Sequence, residues 1–279
     1  MKIEDTVITS RQNPKVCYAA SLAEKKGREG AHAFLAEGEK LTLDALAAGL
    51  LVTHIFAMAS RRERLEEKIF PAATGERYRD TQWIWLSDEA FSKISTEKAP
   101  QGVVSVIKYL DFFRKMDIIY KEDFFIATGE RAIALHEVRD PSNLGAVIRS
   151  AAAFGIDTVV LSSDCADIYS PKTVRAAMGS LFRVKVVSVG DFASFVRAAR
   201  GVGRRVLSAE LSASALPLDR AGLSGADIVV IGNEGHGVPR EISALCDAGL
   251  YIPITEKAES LNASVAASVI LWEQRKGTK

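Results

Sequence analysis

From Phe124 onward the chain switches between two hydrophobic periods. Apolar runs of strand length at 132–138, 156–161, 184–189, 205–210, 226–231 and 249–254 alternate with stretches of helical spacing at about 143–154, 171–178, 191–200, 239–246 and 260–274. Such alternation predicts an α/β fold, a parallel sheet carrying helices on both faces. The clearest unit is a strand at 132–138, a polar turn, a helix opened by Pro141, Ser142 and Asn143, and a second strand at 156–161. That helix has an apolar face of Leu144, Val147, Ile148, Ala151 and Ala152, stops at Gly155, and carries a single guanidinium, Arg149, away from the face. The first hundred residues are less regular. Helix-like pieces at about 14–28, 37–49 and 60–69 mix with short apolar runs at 33–36, 52–57 and 101–108. A charge-rich stretch follows, in which Phe112, Phe113, Ile118 and Ile119 ask for something to pack on. The expected division is a domain over 1–108, a linker over 109–123 and a second domain over 124–279.

Charge changes this picture only locally. The formal net charge is +1, from 36 basic and 35 acidic residues, which excludes a chain that binds polyanions by bulk charge. One segment departs from the balance. Arg11, Lys15, Lys25, Lys26 and Arg28 are offset between Ser10 and Arg28 by a single acid, Glu24. That excess suits contacts to a nucleic-acid backbone, and equally a solvated helix face. No apolar run approaches the roughly 18 residues of a membrane span, and the start MKIEDT does not resemble a secretory signal. Three cysteines, Cys17, Cys165 and Cys246, are odd in number and far apart, so no disulfide framework and a cytoplasmic location are expected. The four histidines have no partners at ligand spacing, and no metal site is expected.

Ligands of parallel sheets bind beyond the carboxyl ends of the strands. Three turns there carry polar side chains. The first holds Asn143 and leads to Arg149. The second is Ile231-Gly232-Asn233-Glu234-Gly235-His236-Gly237-Val238-Pro239, after the most apolar strand. The third runs from Tyr251-Ile252-Pro253-Ile254 through a polar spacer to Ser260-Leu261-Asn262-Ala263-Ser264, which opens the last helix. The glycines of the second turn do not satisfy the dinucleotide fingerprint, and no phosphate-loop Lys-Ser/Thr is present, which disfavours a nucleotide held as in a dehydrogenase or an ATPase.

Together, in this order and at these spacings, the three turns resemble the motifs of the SpoU-type (TrmH-type) RNA ribose 2′-O-methyltransferases, a branch of the SPOUT superfamily, over essentially all of 130–275. Ser10-Arg11-Gln12-Asn13-Pro14, Phe34-Leu35-Ala36-Glu37-Gly38 and Pro100-Gln101-Gly102-Val103 resemble the substrate-binding domain, itself similar to RNA-binding ribosomal proteins, that precedes many such catalytic domains. The resemblance implies a parallel-sheet SPOUT domain with a deep trefoil knot, behind a smaller N-terminal α/β RNA-binding domain. It implies S-adenosylmethionine as methyl donor, a ribose 2′-hydroxyl of large-subunit (23S) ribosomal RNA as acceptor, and a homodimer. Transfer RNA is the alternative substrate, and a catalytically inactive RNA-binding factor for ribosome assembly the alternative function.

By the same resemblance, Gly232, Ile252 and Leu261 contact the donor mainly through backbone, with Ala209 and Glu210 beside them. A glycine such as Gly232 lets a ligand approach the main chain. Arg149, Asn143, Glu234, Ser260 and Asn262 form the catalytic set. An arginine is a poor proton acceptor because its pKa exceeds about 12. Arg149 is therefore expected to pair with a neighbouring phosphate and to stabilise developing alkoxide charge. Each residue also has an ordinary reading: Asn143 and Ser260 as helix caps, Glu234 as a solvated loop carboxylate, Arg149 as a surface ion-pair residue. Asn262, placed two residues into a helix, resists that reading, since Asn is a poor helix former. His236 is expected to be a plain loop residue. Lys172 and Arg175, in the basic segment Ser170–Ser180, join Arg11, Lys15, Lys25, Lys26 and Arg28 as RNA-backbone candidates.

Overall fold

The computed structural model describes residues 1–111 and 113–276, so Phe112 lies outside the described residues. The chain divides into two compact units. One comprises Met1–Leu110 with Asp167–Phe182, the other Asp111–Ala166 with Arg183–Lys279.

The first unit is a five-stranded mixed sheet flanked by helices. Its elements are β1 (Lys2–Ile8), α1 (Pro14–Ser21), α2 (Lys25–Ala31), β2 (Ala33–Glu37), α3 (Glu39–Ala47), β3 (Val52–Met58), α4 (Arg62–Ile69), β4 (Gln82–Leu86), α5 (Asp88–Ser92) and β5 (Val103–Lys108). The strand order is β1-β4-β3-β5-β2, with β5 antiparallel to both of its neighbours. Leu35, Phe56, Ile84, Leu86, Val104 and Val106 bury one face of the sheet against Val16 and Ala19 from α1, Leu22 just past its end, and Phe91 from α5. The single helix expected over 14–28 is two, and β1, β4 and α5 arise where no element was expected. The charged residues of β1 leave most of it exposed at the sheet edge, so pairing with β4 makes it a strand.

The second unit is built on an eight-stranded sheet in which every pair is parallel. It contains β6 (Phe113–Met116), β7 (Ala132–Leu135), α6 (Pro141–Phe154) and β8 (Thr158–Ser162). After the chain leaves this unit and returns come β9 (Lys185–Val189), α8 (Phe192–Gly201), β10 (Val206–Ala209), β11 (Leu216–Pro217), β12 (Ile228–Ile231), α9 (Arg240–Ser243), β13 (Ala248–Tyr251) and α10 (Ala263–Lys276). The order β11-β13-β10-β12-β7-β8-β9-β6 reverses direction at β7, where β8 and β9 extend one way and β12, β10 and β13 the other. Ligands bind at the carboxyl ends of strands beside such a reversal. The stretch 109–123, expected to be a linker, instead supplies β6, which pairs with β9, and Ile119, which joins the core. The sequence of β6, FRKM, lacks a strand signature because β6 is an edge with its charged centre exposed. The strand expected to reach 254 stops at Tyr251, before Pro253, and α9 is shorter than its expected range.

Between β8 and β9, Asp167–Phe182 belongs to the first unit and carries α7 (Pro171–Ala177). Tyr169 stacks on Phe34 and Tyr109, with centroids 4.7 and 4.2 Å apart. Arg28, expected to face RNA, is 3 % exposed. Its guanidinium donates to Asp167 Oδ2 at 2.7 Å and to the carbonyls of Leu22 and Ala23. Arg175, also an RNA candidate, is turned toward Glu97, Glu37 and Thr96. Both side chains hold this segment in place, which removes Arg28 from the candidate RNA surface and leaves Arg175 committed to acids. Among the remaining candidates, Lys15 pairs with Glu4 and Lys25 lies 4.0 Å from Glu29, while Arg11, Lys26 and Lys172 are exposed. No helix among the described residues is long and apolar enough to cross a membrane.

Removing one partner of a buried pair leaves the other charge uncompensated. Arg28→Ala should therefore lower stability by about 3 kcal/mol in urea denaturation; a change within about 0.5 kcal/mol, typical of an exposed side chain, would contradict the buried pairing.

Candidate active site

Helix α6 begins at Asp140. Its Oδ1 accepts from the backbone N–H of Ser142 at 2.5 Å and of Asn143 at 3.4 Å, and Pro141 takes the first helical position. Asn143 is thus not the cap. It sits in the first turn with its amide free to reach outward, and Nδ2 donates to Glu234 Oε1 at 2.9 Å. The ordinary reading fails for Asn143 and holds in part for Asn262. Asn262 precedes α10, and its Oδ1 accepts from the N–H of Ser264 at 2.9 Å and of Val265 at 3.4 Å. Its Nδ2 donates to Asn143 Oδ1 at 2.9 Å. Asn262 therefore caps a helix with one end of its amide and joins the first turn with the other. Ser260 is exposed, two residues before that cap, and does not start the helix.

Glu234 completes the chain of contacts. Its carboxylate accepts from Asn143 and, at 3.3 and 3.4 Å, from the backbone N–H of Asp140 and Arg139 at the start of α6. Partial burial pushes the Glu234 carboxyl up. The Asn143 amide and the backbone N–H groups of Glu234, Asp140 and Arg139 outweigh it, and the net shift is below the usual carboxylate range. The Asp140–Asn143, Glu234 and Asn262 turns are in this way joined side chain to side chain.

A neighbouring residue that sequence reasoning passed over locks the geometry. Asn233 Nδ2 donates to the carbonyl of Glu137 at 2.9 Å, and its Oδ1 accepts from the N–H of Gly235 at 2.8 Å. Glu137 lies in the left-handed region at φ 55°, a conformation that costs a non-glycine residue about 1–3 kcal/mol unless its surroundings impose it. The Asn233 bond to its carbonyl and the Ser162 hydroxyl, which accepts from its N–H at 2.9 Å, impose it here. Gly232 is required for a different reason from the one expected. A Cβ there would lie 2.1 Å from the carbonyl carbon of Gly237, because Asn233 and Gly237 close the turn with reciprocal backbone bonds of 3.0 and 2.9 Å. The missing side chain serves the turn before it serves any ligand.

Beyond the carboxyl ends of β10, β12 and β13 lies a hollow of about 760 Å³, within the span of about 300–1,000 Å³ that holds small-molecule ligands. Gly232, Ile252, Leu261, Ala209 and Glu210 all line it, as do Glu234 and Ser260. So does His236, which was expected to be a plain loop residue, and so does Arg240, which was not singled out. Glu210 is held by three hydroxyls: Ser208 and Ser212 donate at 3.0 Å each, and Ser243 donates as well. Burial pushes its carboxyl up, the Ser243, Ser212 and Ser208 hydroxyls pull it down, and the result is below the usual range. Asn143 and Asn262 reach the hollow through Glu234. Arg149 stands apart: it is exposed on α6, does not line the hollow, and its side chain has no hydrogen bond or ion pair among the described residues. No group of three or more potential metal ligands occurs among the described residues.

Comparison with known proteins identifies the arrangement. Residues 130–272 match the SpoU rRNA Methylase family, and residues 13–105 match the MRM3-like substrate binding domain. The chain belongs to the SpoU rRNA methylase family. Among its SpoU relatives, the 23S rRNA (guanosine(2553)-2′-O)-methyltransferase RlmP of Bacillus subtilis (strain 168) is 32 % identical over 270 residues, 96 % of this chain and 98 % of that one. The 23S rRNA (guanosine-2′-O-)-methyltransferase RlmB of Acinetobacter baylyi is 32 % identical over 80 % of this chain and 88 % of its own. The crystal structure of an AdoMet-bound rRNA methyltransferase from Sinorhizobium meliloti superposes with a TM-score of 0.80 at 29 % identity, covering 98 % of both chains. The SpoU match spans the hollow and all three turns that meet around it.

The depressed Glu234 carboxyl has a measurable sign. Its contribution to stability is complete above the ordinary carboxylate range and is lost as pH falls through its own, lower titration. A carbon-13 carboxyl titration should place Glu234 below an ordinary glutamate, and Asn143→Ala should move it upward. An unchanged midpoint in Asn143→Ala would break the proposed coupling between these turns.

Proposed function

We propose that the protein is an S-adenosylmethionine-dependent RNA methyltransferase that methylates a ribose 2′-hydroxyl of large-subunit (23S) ribosomal RNA, acting as a homodimer in the cytoplasm, where ribosomal RNA is found. The observation that carries the reading is the hollow lined by the second and third motif turns, to which the first turn is tied through Asn262, Asn143 and Glu234. The relatives named for 23S ribosomal RNA and the neighbour crystallised with AdoMet support the substrate and the donor. The deep trefoil knot belongs to the same proposal, supported by the likeness of the whole chain to that neighbour.

The residues present fit the donor. The hollow has the necessary volume, and Gly232, Ile252 and Leu261 line it from two different turns. When bound, the donor supplies a methyl group that is already strongly electrophilic. The protein must then align the 2′-oxygen with it and favour the developing negative charge. Glu234 has its oxygens taken by the Asn143 amide and two backbone N–H groups, which makes it a positioning residue that fixes the first turn against the hollow. Arg149, permanently cationic and without a side-chain partner among the described residues, is the charge that answers a backbone phosphate and the 2′-alkoxide. Its absence from the lining of its own chain's hollow is explained if it serves the hollow of a second subunit. An exposed apolar stripe on α10, Val265, Val269 and Trp272 at helical spacing, supports such a dimer. On the first unit, Arg11, Lys25, Lys26 and Lys172 are the exposed cations offered to the RNA backbone.

Arg149→Ala should reduce methyl transfer from labelled S-adenosylmethionine to ribosomal RNA at least about a hundredfold, the size expected for one lost charge-stabilising donor, with donor affinity by calorimetry nearly unchanged. Equal loss of both would mean the residue is misassigned. Light scattering should give twice the chain mass of 30.2 kDa; a strict monomer at micromolar concentration contradicts the shared site. Mapping 2′-O-methyl positions in ribosomal RNA from cells with and without the gene should reveal one missing modification in the large-subunit RNA, and an unchanged map rejects that substrate.

A further inference from the structure

Glu210 is a charged group of the hollow to which the reaction described above assigns no step. It sits just past β10, with its backbone N–H donating to the carbonyl of Leu250 at 2.9 Å. Its carboxylate is seated closely on the neighbouring strand: a Cβ on Gly249 in β13 would stand 2.6 Å from Glu210 Oε1. Ser208 and Ser243 donate to Oε2 and Ser212 to Oε1. No cation pairs with it among the described residues. Three neutral hydroxyls therefore hold a full negative charge at the wall of the hollow, and they hold it in one place.

The other charges of the hollow behave differently. The Glu234 carboxylate differs in facing the N-terminus of α6, whose positive dipole end opposes its charge. Arg240 lines the same space without a side-chain hydrogen bond or ion pair among the described residues. As a cation it opposes the donor's sulfonium, so any preference for the donor over the product must come from a negative charge. The donor carries a sulfonium cation. The product, S-adenosylhomocysteine, is a neutral thioether at that atom and is otherwise the same molecule. Only a fixed charge separates two ligands that differ by one charge.

Resting on the reading of the hollow as the donor site, we propose that Glu210, caged by Ser208, Ser212 and Ser243, makes the hollow prefer the cationic methyl donor over its neutral product and so promotes product release. The attraction is electrostatic and does not need direct contact with the sulfur. The charge that attracts the donor gains nothing from the product once the methyl group has left.

Calorimetry with three probes tests this on the full chain: S-adenosylmethionine, S-adenosylhomocysteine, and sinefungin, which has a protonated amine where the donor has its sulfonium. Glu210→Gln should weaken the two cationic probes about tenfold, the scale of one charge–charge interaction in a partly buried site, while the neutral product binds as before. Product inhibition of methyl transfer should deepen accordingly. Equal weakening of all three probes, or an unchanged ratio, overturns the proposal. Failure of all three to bind the unmutated protein overturns the donor-site reading itself, and is distinguished by occurring before any substitution is made. Should Glu210→Gln fail to fold, the unmutated protein still decides: raising the ionic strength must weaken the cationic probes more than the neutral one, and an equal response overturns the assignment.

Discussion

The amide relay from Asn262 through Asn143 to Glu234 is the constraint on which the catalytic unit depends. Each of these residues sits at the start of a helix or in a tight turn, where the backbone has N–H groups to satisfy and a short polar side chain can do so. Asn262 meets that local need and still has an amide end free. Asn143 is relieved of it by Asp140, so both ends of its side chain point outward, one to Asn262 and one to Glu234. Turns far apart in sequence are thereby held in register by side-chain hydrogen bonds. Asn233 adds a second tie by gripping the strained Glu137 carbonyl.

The charges around the hollow follow from the same geometry. Glu234 is ionised because an amide and helix-terminal N–H groups face it, and Glu210 because serine hydroxyls do. In both, burial works against ionisation and loses to hydrogen bonding. On the cationic side stand Arg240 at the wall and Arg149 on an exposed helix face, without an ion pair among the described residues. The thiol of Cys246, partly buried and near the carboxylates of Glu210 and Asp247, is pushed up to about 11, so it is uncharged at neutral pH and leaves the local field to the carboxylates.

The first unit takes a segment from the middle of the catalytic sequence. Tyr169 fills an aromatic stack with Phe34 and Tyr109, and Asp167 answers the buried Arg28. Stretch 167–182 therefore carries packing duties that a reading of it as a basic RNA-facing loop does not include. Of the cations in it and in α2, Arg28 and Arg175 hold protein together, whereas Lys26 is exposed.

Much of the fold was legible because strand and helix periods are local properties of the main chain. The alternation after residue 124 yielded the parallel sheet, and the three polar turns yielded the family. Edge strands escaped, since β1 and β6 are charged segments that become strands only by pairing with a neighbour. The cap of α6 was available in the Asp140-Pro141 pair, an N-cap followed by proline, and was passed over. Asn143 and Asn262, 119 residues apart, are joined by a bond that no local pattern encodes. The same holds for the burial of Arg28 and the isolation of Arg149. Sequence alone determined which chemical groups stand at the ends of which strands, because chain spacing governs that. Tertiary structure decided which of those groups meet, which are neutralised and which remain free, because burial and electrostatic partnership depend on neighbours brought together only by folding.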